Sequence, residues 1–496
     1  MRKWMLFTLL IAWADTVLSQ SETDLMRFSM QRQHTSARVA AMGGAFGALG
    51  ADVGALALNP AGLATFRKNI LATSMQWSNH TASGSYLGNA QRDVDSRLQF
   101  SSLGFVYAQP LQSGNGWIQL NYGFSMNRTA NFVQSARYEG VNTNSSMVDY
   151  FLSEANGGDE FFPEDYPFSA ALAESVGLIF PSIPGNRQSL YFGIVPNAGI
   201  TQSERINQNG QLTDYGFSMA GNYKNKLYVG GGISLMSASF SSRDVFTERD
   251  HADSIFDFKD FTYTRDVLTE GDGLKGRIGA VLQPVQWIRL GISHETATRY
   301  TLSDDYRTSL EANFDSVPTF GSARSPLFSP FTFSHRSAGK TTYSAAVLFE
   351  SRGLISFDYE QVYYDRMRVT ALRSDAASIP WANELNDGVR SLFQTADNLR
   401  IGGEYVFGPL AMRAGYALWG SPFRNGVETG GGNWQQRDIS AGVGMRFGGT
   451  SIDLSLVNAR WKNFRFPYAV NGVTAEGVVF TQDRWSILVG AQFRLD

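Results

Sequence analysis

The chain contains no cysteine, which removes a disulfide framework, a thiolate metal site, a cysteine nucleophile and a lipoprotein anchor together. An excess of charge of one sign is lacking as well. The 42 basic residues face 45 acidic ones, a formal net charge of -3, so nothing draws the chain to nucleic acid. There are five histidines, His34, His80, His251, His294 and His335. No two of them stand at metal-ligand spacing, and His294-Glu295 lacks the second histidine of a zinc helix, so neither a metal nor a cofactor is expected. No Gly-x-Ser-x-Gly elbow occurs, and no catalytic residue stands out. The chain does not read as an enzyme.

Long hydrophobic runs are missing too. The one sustained apolar stretch, Trp4 to Ala14, follows Arg2 and Lys3 and leads to Val17, Leu18 and Ser19. That order of charge, apolar core and small residue predicts a secretory signal over residues 1–19, cleaved ahead of Gln20. Its loss removes Arg2, Lys3 and Asp15 and moves the formal charge from -3 to -4. Nothing downstream approaches the roughly 18 apolar residues of a membrane helix, so a mature chain that spans a membrane must do so as a closed barrel.

What is abundant is glycine and aromatics, 50 Gly, 35 Phe, 20 Tyr and 10 Trp, finely interleaved with polar residues. Ile118, Leu120, Tyr122, Phe124 and Met126 alternate with Gln119, Asn121, Gly123, Ser125 and Asn127, a period of two with one face for lipid and one for a wet lumen. The same alternation runs through Ile439 to Phe447, Ile452 to Leu456 and Trp485 to Leu495. Short polar turns at 224–226, 283–286, 351–353, 408–409 and 448–450 contrast with long connections at 78–96, 132–167, 250–271, 303–333, 371–394, 421–433 and 463–474. This one-sided asymmetry predicts an all-β, transmembrane, antiparallel up-and-down barrel in the outer membrane of a Gram-negative cell. The pattern counts about sixteen strands, the first at Asn69 to Trp77. A soluble sandwich or propeller also alternates, but has no use for one-sided loops or for apolar faces rich in Tyr, Phe and Trp.

Residues 37–66 do not alternate. ARVAAMGGAFGALGADVGALALNPAGLATF is small, compact and apolar, suited to short helices and tight turns packed inside a barrel. The domain reading is a signal peptide at 1–19, an N-terminal helical hatch at 20–67 and the barrel at 68–496. Gly44, Gly47 and Gly50 invite a dinucleotide-binding reading, yet no strand precedes them and no βαβ unit follows.

Asn59, Pro60 and Ala61, preceded by Ala37, Gly43, Gly44, Ala45 and Asp52, resemble the hatch of the FadL-type family of outer-membrane transporters for long-chain fatty acids and other hydrophobic compounds. Residues 271–300, a Gly-rich strand, a Pro turn and a returning strand, resemble that family's mid-barrel hairpin. The resemblance implies fourteen strands, a hatch whose gate involves Asn59, Pro60, Ala61, Gly43 and Gly44, and release of cargo sideways through a gap in the wall.

The long loops carry apolar residues where polar ones are the rule: Tyr150, Phe151, Leu152, Phe161, Phe162, Tyr166 and Phe168 in one stretch, and Phe320, Leu327, Phe328, Phe331 and Phe333 in another. Phe151, Leu152, Phe161, Phe162, Phe320, Leu327, Phe328, Phe331 and Phe333 are the candidate ligand-binding residues, either as an exposed capture surface or as a packed lid. The expected partners are a hydrophobic small molecule and outer-membrane lipid, the expected state a monomer, and transport passive, since no energy-coupling motif is present. A haem receptor and a non-transporting adhesin or structural barrel are the alternatives.

Overall fold

In the computed structural model the described residues are 21–495, apart from 33, 113–114, 158–161, 188, 196–198, 317–320, 351, 373–377, 428, 430 and 471–475. The signal reading over 1–19, together with Phe161 and Phe320, lies outside them.

Fourteen antiparallel strands form one closed barrel. They are β1 (Asn69–Tyr86), β2 (Asn89–Pro110), β3 (Trp117–Asn131 continued by Gln134–Asn142), β4 (Ile200–Tyr223), β5 (Leu227–Arg249), β6 (Asp260–Val285) and β7 (Ile288–Glu295 continued by Arg299–Asn313). The circuit continues with β8 (Phe331–Arg336 and Lys340–Phe349), β9 (Gly353–Tyr363 and Arg368–Ala371), β10 (Thr395–Phe407), β11 (Leu410–Trp419), β12 (Asn433–Phe447), β13 (Thr450–Arg465) and β14 (Val478–Leu495). Pairing of β1 with β14, from Asn69↔Leu495 to Ser85↔Val479, closes the cylinder. The alternation read from the sequence sets the two faces: Gln119, Asn121, Ser125 and Asn127 are buried in the lumen, while Tyr107, Tyr122, Phe217, Ile233 and Leu235 are exposed outside.

The count falls from sixteen to fourteen because the described residues of 168–199 add no barrel strand. They form a helix, Ala170–Ser175, and two short strands, Ile179–Pro181 and Tyr191–Gly193, which pair only with each other. Several expected loops are strand instead. β1 runs to Tyr86 rather than Trp77 and turns into β2 through Leu87 and Gly88, both at positive φ (48° and 84°). On β5 the outward residues change from Ile233 and Leu235 to Ser237, Ser239, Ser241 and Arg243. The apolar half of the alternation therefore stops at the bilayer edge while the backbone ladder continues above it.

Three neighbouring strands are interrupted at one height, at 296–298, 337–339 and 364–367. Hydrogen bonds tie the interruptions into a step in the wall: the Thr298 amide donates to Ser337 Oγ at 3.0 Å, the Ser337 amide to the Thr298 carbonyl at 2.9 Å and the Tyr363 amide to the Gly339 carbonyl at 3.0 Å. Across the step the outward parity flips. On β7, His294 and Thr296 face out below it and Arg299 and Thr301 above it.

Candidate functional site

The described residues of 22–66 lie within the barrel as α1 (Glu22–Arg27), α2 (Ala37–Ala41) and two 3-10 turns, Val53–Ala57 and Pro60–Thr65. Side-chain caps start three of these elements. Ser36 Oγ accepts from the Val39 amide at 3.2 Å, Asp52 Oδ1 from Gly54 at 2.8 Å and Asn59 Oδ1 from Ala61 at 3.0 Å, with Pro60 in the first-turn position that needs no amide donor.

The small residues let this segment touch the wall. Gly43 has φ +62°, and a Cβ there would lie 2.9 Å from the backbone nitrogen of Tyr416 on β11. Lumen side chains satisfy its backbone in turn. Asp358 on β9 accepts from the amides of Phe46 and Gly47, both at 3.1 Å. Asn121 on β3 donates to the carbonyls of Leu63 (2.8 Å) and Phe66 (2.9 Å), Ser293 on β7 to Leu58 (2.9 Å), Arg289 to Leu49 (2.6 Å) and Ser440 on β12 to Ala41 (3.1 Å). Arg38 makes a two-pronged pair with Glu404 on β10, at 2.8 and 3.0 Å. Asn59, buried, joins the two halves of the segment by donating to the Gly47 carbonyl at 2.7 Å. Gly44, also at positive φ, packs against the His34 ring. The motif residues meet different strands of the wall: Gly43 lies against Tyr416 on β11 and Gly44 near Arg400 on β10, whereas Asn59 lies against Gly279 on β6 and Pro60 against Gly230 on β5.

Above this layer lies a cavity of about 580 Å³. Its floor is residues 23–32, its apolar lining includes Phe28, Phe132, Phe240, Phe333 and Trp461, and its polar lining includes Asp95, Arg97, Asp244, Arg265 and Arg484. On one side it reaches the wall between β2 and β3, where the sheet is unzipped. Their ladder runs from Pro110↔Gln119 up to Ser102↔Asn127 and no further. Above that point β2 pairs with β1 and β3 with β4, and β3 breaks at 132–133. Side chains bridge the space instead: Asn131 Nδ2 donates to Gln99 Oε1 at 2.8 Å, Arg97 to Asn209 at 3.2 Å, and Arg137 pairs with Asp93 at 3.3 Å. Leu98, 64% exposed, flanks the opening on the outside.

The loop residues divide. Phe151, fully buried on α3 (Met147–Ala155), is in the core of a cap at the long-loop end of the barrel with Val148, Phe246, Phe258, Phe261 and Tyr263, against which Leu152 is half-buried. Phe331 and Phe333 close on Trp381 of the helix Ser378–Leu392, with ring centroids 4.9 and 5.8 Å apart. Phe162 is half-buried, whereas Leu327 and Phe328 are 80% and 57% exposed. Four further exposed apolar residues, Phe180, Ile183, Leu190 and Phe192, cluster on the small hairpin of the cap. Sequence reasoning missed them; of the cavity aromatics it named Phe333 and missed Phe28, Phe132, Phe240 and Trp461. For Phe240 the available signal was parity, since it shares its face of β5 with Ser234 and Met236.

No protein-family profile matches the sequence, and no curated protein does. Solved structures do. A Pseudomonas aeruginosa FadL homologue superposes with a TM-score of 0.59 at 12% identity, covering 93% of this chain and 98% of the other. The P. putida toluene transporter TodX gives 0.52 at 13% over 93% and 98%, and the Ralstonia pickettii toluene transporter TbuX 0.50 at 14% over 95% and 100%. At such identities the likeness is one of architecture, and the architecture is that of the FadL-type hydrophobic-compound transporters.

Proposed function

We propose that the protein is an outer-membrane channel for the passive uptake of hydrophobic small molecules such as long-chain fatty acids. The observation that carries this reading is a part-aromatic cavity set directly above a wall-bound plug and beside an unzipped stretch of that wall. Two of the architectural relatives are toluene transporters by name, which supports a small apolar cargo.

A water-filled pore offers such a molecule no favourable path, since each methylene held in water costs about 0.8 kcal/mol against an apolar site. Capture begins at Leu327, Phe328 and the exposed hairpin residues, beside a cap whose buried Phe151 keeps the loops in one shape. The ligand passes Phe331 and Phe333 into the cavity and waits above the hatch formed by Gly43, Gly44, Asn59, Pro60 and Ala61. Rearrangement of the hatch and of the Gln99–Asn131 bridge releases it sideways between β2 and β3. The chain works as a monomer and draws on no energy source.

Replacing Asn59 and Pro60 together tests the reading. Uptake of radiolabelled oleate and toluene by cells falls while the barrel stays assembled and heat-modifiable on gels. Unchanged uptake of both ligands overturns it.

A further inference from the structure

The outer wall above the step carries a feature that neither the cavity nor the hatch uses. Arg299 is the direct cross-strand partner of Arg336, and Arg336 of Arg368. All three are exposed, so a row of guanidiniums crosses β7, β8 and β9 over two strand spacings, about 10 Å. Arg366, also exposed, stands 4.4 Å over the ring of Tyr363. Like charges directly opposite one another destabilise a ladder, and among the described residues none of the four is in an ion pair. The carboxylates on the adjoining face belong to other rows. Asp272 and Glu270 on β6 stand opposite Thr301 and Ser303, and Asp365 accepts from Thr395 Oγ1 at 3.1 Å.

What lies below the row sets its height in a membrane. Exposed Leu290, Ile292, Val347, Ile355 and Phe357 come first. Above them come Tyr343 and Tyr359, stacked at 6.3 Å, then Thr341, which receives the Tyr363 hydroxyl at 2.8 Å and contacts His294 Nδ1 at 2.9 Å. Aliphatic, aromatic and cationic bands in that order match hydrocarbon, interface and headgroup. Arginine in particular meets phosphate with two parallel donors.

We propose that Arg299, Arg336 and Arg368, with Arg366 beside them, form a site for the phosphate-bearing headgroup of an outer-leaflet lipid. The proposal rests on the membrane reading above. The bound phosphate cancels the repulsion along the row, and the acyl chains run down over Ile292 and Phe357. Ala338, two residues from Arg336, donates to Ser29 Oγ on the inner face at 2.9 Å, so the headgroup braces the wall where the N-terminal segment rests.

The full-length protein in neutral maltoside micelles is titrated with bis-phosphorylated lipid A as the probe, and retained lipid is counted by native mass spectrometry. One lipid per barrel is expected, weakening as salt is raised, and its affinity falls at least tenfold in the Arg299→Gln/Arg336→Gln/Arg368→Gln variant. Arg336→Gln alone is as heat-stable as the wild type or more so without the probe, and less so with it. Equal retention of the dephosphorylated probe overturns the proposal, as does displacement by equimolar inorganic phosphate, which points to a free anion, or by oleate, which points to a carboxylate amphiphile. Flotation with phosphatidylcholine vesicles separates the two readings. If wild type and variant both float, a missing phosphate dependence counts against the site alone, and if neither floats, the membrane reading fails and the site with it.

Discussion

Asn59→Ala removes the cap on the Ala61 amide at 3.0 Å and the donor to the Gly47 carbonyl at 2.7 Å, together with two longer bonds to the wall carbonyls of Ala280 and Ile292 at 3.4 and 3.5 Å. Losing a cap of this kind costs about 1 kcal/mol, and stranding the buried Gly47 carbonyl costs about 1–3 kcal/mol more. Every ladder bond of the barrel is untouched, so the loss of about 2–4 kcal/mol falls on local opening of residues 44–66, which rises roughly 30- to 700-fold at a factor of ten per 1.4 kcal/mol. Hydrogen–deuterium exchange read by mass spectrometry measures this directly. Peptides covering 44–66 exchange faster by that factor, whereas peptides from β11 and β12 keep the wild-type rate. Asn59→Asp keeps the capping oxygen but loses the donor and buries a charge, so it opens the segment at least as much. Wild-type protection of 44–66 in Asn59→Ala refutes the reasoning, and so does a variant in which β11 and β12 loosen together with the segment.

Gly43→Val forces a branched side chain into a left-handed backbone position against Tyr416 and is expected to unseat the segment by more than 1 kcal/mol; limited proteolysis then cuts within 21–66 while the barrel stays intact. In a chain without cysteine, Gln99→Cys with Asn131→Cys bridged by a short bismaleimide staples the unzipped wall. Uptake should stop on bridging and persist when each single cysteine is capped, and full uptake through the stapled barrel rejects lateral release. Glu248 stands above the bilayer on β5, where burial pushes its carboxyl up to about 7 although Ser146, Met147 and Gln202 donate to it. Raised above its unfolded value, it contributes stability that is complete near pH 4 and lost as pH rises towards 7, roughly 3 kcal/mol in all. Glu248→Gln should flatten that decline in the thermal melting of the cap between pH 5 and 8, and an unchanged slope argues against the assignment.

The barrel was legible because its determinant is local. A strand such as 117–127 declares its two faces within eleven letters, and any alternating segment must find partners or leave its backbone groups unmet in lipid. The motif Asn59-Pro60-Ala61 was legible too, since a cap followed by a first-turn proline is a local signal. Strand ends were not, because from Ser237 to Arg249 the outward face turns polar while Phe240 and Phe246 point inward, so the apolar-out alternation no longer marks the strand. Nor was the cavity: Phe28, Phe132, Phe240 and Trp461 come from four separate stretches, and only closure of the cylinder makes them neighbours. The arginine row is non-local in the same way, since Arg299, Arg336 and Arg368 meet only through register.

The N-terminal segment is made first, yet much of what holds it is made last. Arg38 waits for Glu404, Ala41 for Ser440 and Phe46 for Asp358. Until those strands exist these groups have only water for company, and the segment acquires its shape when the final strands curl round to meet β1. A truncated chain would therefore lack both its last staves and the anchorage of its own beginning, so seating of the segment serves as a proof that the whole chain has arrived.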